Sequence, residues 1–73
     1  MLDQIDGEPV PSMPLSGKEM LKRYEKAGWV ILARRGSHVK VGKGPLRETI
    51  PMHRELKRGL ERKLLKRLSE TEE

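Results

Sequence analysis

The stretch from Arg35 to Lys43, RGSHVKVGK, sets the architecture. Arg35-Gly36 reads as a tight reversal. From Ser37 to Val41 polar and apolar residues alternate, so Val39 and Val41 share one face of a strand while His38 and Lys40 share the other. Gly42-Lys43-Gly44-Pro45 is a turn signal. Upstream, Trp29 to Ala33 is rich in strand formers. Downstream, Leu46 to Ile50 is a third strand closed by Pro51. Two short reversals in succession predict an antiparallel three-stranded meander. The third strand resists a simple register: Leu46 and Ile50 share their face with Glu48, which suggests a half-exposed edge or a bulge.

Helices flank this sheet. Ser16-Gly17-Lys18-Glu19 fits a capping box, in which the Ser16 hydroxyl accepts from the Glu19 amide and the Glu19 carboxylate accepts from the Ser16 amide. Met20, Leu21, Tyr24 and Ala27 follow on one face, with Gly28 suited to the position beyond the helix end. A first helix is expected over about 16–27. Leu60, Leu64, Leu65 and Leu68 mark a second over about 59–69, with Arg62, Lys63, Lys66 and Arg67 solvated. The order is α-β-β-β-α. Each helix has one apolar stripe and the sheet one apolar face. The economical packing is therefore an α+β two-layer sandwich with both helices on one face of the sheet. The other face then carries His38 and Lys40, with Arg47 and Thr49 if the third strand pairs regularly.

Composition narrows the function. The 73 residues make one small domain with no cysteine, hence neither disulfides nor thiolate metal sites. Phe is absent and Trp29 and Tyr24 are the only aromatics, so the expected core is aliphatic and thin, helped by a partner chain or self-association. Residues 1–13 read as a flexible leader and 70–73 as an acidic tail, leaving 14–69 as the compact domain. All sixteen Lys and Arg fall in 14–69 against five Glu, a balance of +11. Such a domain suits a polyanion or an acidic protein partner. No apolar run approaches a membrane span and no secretory signal is visible, so a cytoplasmic location is expected. Two histidines without cysteine argue against zinc, no acidic cluster suggests magnesium, and no phosphate-binding glycine motif is present, so no cofactor is expected. Ser37 has no acid partner for a hydrolase triad.

An open sheet face with a histidine among cations fits phosphodiester cleavage through the RNA 2′-hydroxyl. Imidazole titrates near neutrality and can take either proton-transfer role. Lys and Arg stabilise the developing anion. His38 is then the acid or base. Arg34, Arg35, Gly36, Ser37, Lys40 and Arg47 are the expected RNA- and phosphate-binding residues, with Gly36 letting the backbone approach the substrate closely. From composition alone, His38 fits a plain exposed strand position as well. His53 has three readings: a cap for the second helix, support for the sheet edge, or a second proton-transfer group.

The residues also resemble a known family. LSGKEMLKRYEKAGWVILARRGSHVK followed by TIPMHRELKRGLERKLLKRL is similar to the HicA-type toxins of toxin–antitoxin pairs. The shared marks are Ser16-Gly17-Lys18-Glu19, Gly28-Trp29, Arg35-Gly36-Ser37-His38, Thr49-Ile50-Pro51-Met52-His53, Glu55-Leu56 and Gly59. They span about residues 14–69. The hairpin at Gly42–Pro45 is shorter than in most relatives, and Arg58 stands where many have proline. The resemblance implies a fold like that of double-stranded-RNA-binding domains and a metal-independent endoribonuclease acting on mRNA, with His38 catalytic. It also implies a HicB-type antitoxin that covers the active face. Two alternatives stand beside it: an RNA-binding module without catalysis, and a subunit that binds only protein.

Overall fold

The computed structural model describes residues 14–71. The leader expected over 1–13 and the last two residues of the acidic tail lie outside that range. The elements are α1 (Gly17–Lys26), β1 (Val30–Arg35), β2 (His38–Lys43), β3 (Leu46–Pro51) and α2 (Arg58–Thr71). The strands form one antiparallel sheet in the order β1-β2-β3. Both hairpins close through two-residue turns, Gly36-Ser37 and Gly44-Pro45, each with glycine at positive φ (58° and 57°) in the first central position. That pattern matches the right-handed twist of the strands it joins, and a β-carbon would strain it. Arg34 and Arg35 therefore belong to β1, and β2 starts at His38 itself, not at Ser37.

The α+β sandwich holds. Met20, Leu21 and Tyr24 of α1 and Leu64 and Leu68 of α2 pack with Val39, Val41 and Ile50 of the sheet, joined by Trp29 and Leu56. Both helices thus cover one sheet face. The core is not purely aliphatic: Trp29 and Tyr24 are its largest fully buried side chains and meet edge-to-face with ring centroids 4.9 Å apart. Each fully buried large side chain of this kind contributes about 1.5–3 kcal/mol.

The capping box forms as expected, with Ser16 Oγ accepting from Glu19 N (3.0 Å) and Glu19 Oε1 from Ser16 N (2.9 Å). The Ser16 amide, with the Ser16 hydroxyl as a second donor, favours the ionised carboxylate and holds the Glu19 carboxyl below its ordinary value. The N-terminus of α1 also docks on the chain leaving the sheet. Gly17 N–H donates to the His53 carbonyl at 2.9 Å, and Leu56 N–H to the Leu15 carbonyl at 2.9 Å. A β-carbon on Gly17 would collide with the backbone of Pro51 and Met52, so only glycine permits this approach.

Three expectations need correction. β3 is not bulged: it is an edge strand that pairs regularly with β2, from His38–Pro51 to Lys43–Leu46, with Arg47 and Thr49 exposed. Glu48 is buried and held by Arg67 (Nε–Oε2 2.8 Å), which is therefore not simply solvated, while Lys63 stays exposed and reaches the same carboxylate at 3.5 Å. A carboxylate among leucines needs such partners. The irregularity lies instead in β1, where the register slips between Ile31 and Ala33 and leaves Leu32 as the extra residue. Val30, Ile31 and Leu32 stay 40–56% exposed despite their apolarity. Finally, α2 continues two residues past its expected end, to Thr71, taking Glu70 into the helix.

Candidate active site

The open face follows from the ladder. His38 lies opposite Arg35 and Pro51, and Lys40 opposite Ala33 and Thr49. Ala33, Arg35, His38, Lys40 and Thr49 line one cleft on that face. His38 and Lys40 are exposed while the alternate residues Val39 and Val41 are fully buried, as the period of a strand requires. The residues brought together are an imidazole (His38), two cations (Arg35, Lys40) and a hydroxyl (Thr49).

Two residues named with His38 fall elsewhere. Arg34 points to the other side of β1, where it lines a second cleft with Ser16, Lys18, Met52, His53 and Arg54. Arg47 is on the open face, yet its Nη1 donates to the carbonyls of Gly44 and Leu46, both at 2.8 Å. That pins its guanidinium over the β2–β3 turn, four strand positions from His38. Gly42 has no side chain to oppose it, and Leu32 of the bulge reaches over the same spot.

His53 does not cap α2. It follows β3 by two residues, its carbonyl is taken by Gly17, and its ring lies 6.3 Å from the His38 ring at an interplanar angle of 70°. Met52 N–H donates to the Ser37 carbonyl, so the segment carrying His53 is tied to the turn that presents His38. Among the described residues, neither imidazole is engaged by a hydrogen bond, and both are exposed. Lys18 and Arg54 escaped the reading of the residues as site members, since one lies on a solvated helix face and the other in a linker. The shared segments did hold a signal: Ser16-Gly17-Lys18-Glu19 and Thr49-Ile50-Pro51-Met52-His53, far apart in sequence, meet through the Gly17–His53 hydrogen bond.

No three metal-ligating side chains gather among the described residues, and no helix there is long and apolar enough to cross a membrane. Fold and site together define a small basic α+β domain that presents a histidine and flanking cations on a sheet face no helix covers. The comparisons with known proteins carry this further. The family described as "HicA toxin of bacterial toxin-antitoxin" matches residues 17–69, most of the chain, and the chain belongs to that family. It is thus a toxin of a toxin–antitoxin system. No curated protein and no solved structure matches it.

Proposed function

We propose that this toxin is an endoribonuclease that cuts mRNA in the cytoplasm through the RNA's own 2′-hydroxyl, with His38 transferring one of the two protons. The 2′-oxygen attacks phosphorus, the bond to the 5′-oxygen breaks, and a 2′,3′-cyclic phosphate and a 5′-hydroxyl result. One side chain takes the 2′-proton and another supplies the proton to the leaving oxygen. Arg35 and Lys40 face the developing phosphorane charge. No step in this scheme calls on a bound metal or cofactor. The observation that carries the reading is the exposed His38 in a cleft whose charged side chains are all cationic.

His38→Gln tests it. Cleavage of a synthetic RNA is expected to fall by about 10²–10⁴, and growth arrest on expression to disappear. RNA affinity and melting temperature should hold, because the ring is exposed. Undiminished cleavage by the variant would sink the assignment. Binding of RNA by the unaltered toxin without any cleavage would favour the RNA-binding alternative. The family further supports a HicB-type antitoxin as partner. A net-negative partner surface over the open face would neutralise the toxin by excluding RNA. Co-expression should give a complex whose cleavage is suppressed.

A further inference from the structure

The second proton transfer has no assigned group in the scheme above, and the structure offers one. Two clefts, one on the open face and one around the sheet end, are lined separately, the first including His38 and the second His53. The two rings stand 6.3 Å apart. That separation leaves the two rings close enough to flank one phosphoryl group at the rim between the clefts. The charged side chains lining the clefts besides the histidines are all cationic: Arg35 and Lys40 on one side, Lys18, Arg34 and Arg54 on the other. Both clefts thus offer cationic side chains to an RNA backbone, one set on each side of the histidine pair.

We propose that His38 and His53 form the acid–base pair of the reaction, and that the Lys18–Arg34–Arg54 cleft holds the RNA backbone on the far side of the scissile phosphate. The proposal rests on the endoribonuclease reading. One imidazole takes the 2′-proton as the 2′-oxygen attacks, and the other, protonated, gives its proton to the 5′-oxygen as the P–O5′ bond breaks. No net proton is consumed in that step. Exchange with water then restores both rings. The elements that place His53 suit this role: the Gly17 amide fixes its carbonyl, and the Met52 amide fixes the preceding residue to Ser37, leaving the ring free.

The test uses the whole toxin and two substrates: an RNA with one ordinary scissile bond, and the same RNA with sulfur replacing the bridging 5′-oxygen. A thiolate leaves without needing a proton. His53→Gln and His38→Gln should each slow the ordinary substrate by about 10²–10⁴. With the sulfur substrate one variant, the one lacking the acid, should regain the unaltered rate, and the other should stay slow. Affinity for a 2′-deoxy analogue and the melting temperature should be unchanged in both. A structural role for His53 would not produce selective rescue. His53→Asn, with a shorter amide, serves as a second variant and should behave as His53→Gln does. Full activity in either His53 variant, or rescue of both histidine variants or of neither, overturns the pair. If the unaltered toxin cuts neither substrate, the endoribonuclease reading itself fails, which is a distinct result.

Discussion

Tyr24 shows how much one side chain settles. It is fully buried, and its hydroxyl donates to the Leu64 carbonyl at 2.7 Å, joining α1 to α2 through the core. Burial pushes its phenol up from the ordinary value, with the nearby Glu48 charge adding to the effect and Arg67 opposing it. Since the folded-state value lies above the unfolded one, the stabilisation is complete below about pH 10 and is lost as pH rises toward the folded-state value. Tyr24→Phe should cost about 1 kcal/mol at neutral pH, as a lost buried hydrogen bond does. It should also flatten the fall in stability above pH 10. Urea titrations at pH 7 and at alkaline pH check both, and a variant with unchanged alkaline slope would remove Tyr24 as the cause. At this scale the sequence was readable where a residue acts through its own neighbours. Alternation alone put His38 opposite the core. It could not place Glu48, whose partners Lys63 and Arg67 come from a helix fifteen and nineteen positions later. Nor could it place His53, whose position depends on Gly17 at the other end of the domain.

Among the elements, the helices and hairpins declared themselves because caps, stripes and turn glycines are local signals. β1 did not. Its apolar run has no alternation, and the extra residue Leu32 shifts the pairing so that burial cannot be read from spacing. β2 held a different surprise. Lys43, read as part of a turn, ends that strand, and its ammonium donates to the carbonyls of Ala27 (2.8 Å) and Thr71 (2.9 Å). One cation thereby satisfies carbonyls at the C-terminal ends of both helices, where the helix dipole favours positive charge. Lys43→Met keeps most of the stem and removes the charge. It should lower stability by about 1.5–3 kcal/mol, the range for hydrogen bonds to charged groups, and leave cleavage intact. A denaturant midpoint equal to that of the unaltered toxin would show that water replaces the ammonium without loss.

For the whole molecule, charge and docking matter most. The +11 balance of residues 14–69 is not evenly spent: some cations hold Glu48 or the helix ends, and others line the two clefts. Arg35→Ala and Lys40→Ala should each weaken RNA binding and shallow its dependence on log salt by roughly one phosphate contact. Affinities measured at several salt concentrations test this, and an unchanged slope would take that residue out of the phosphate site. The family resemblance, more than periodicity, made the function legible, because the two shared segments meet only in the folded chain. Their meeting has a consequence for synthesis. Gly17 and Leu15 are made early, yet their hydrogen-bond partners, His53 and Leu56, lie near the far end of the domain. A chain still emerging from the ribosome can build the β1–β2 hairpin and expose His38 long before the strap carrying His53 can close. The proposed histidine pair is therefore assembled only after translation has passed the segment that carries His53.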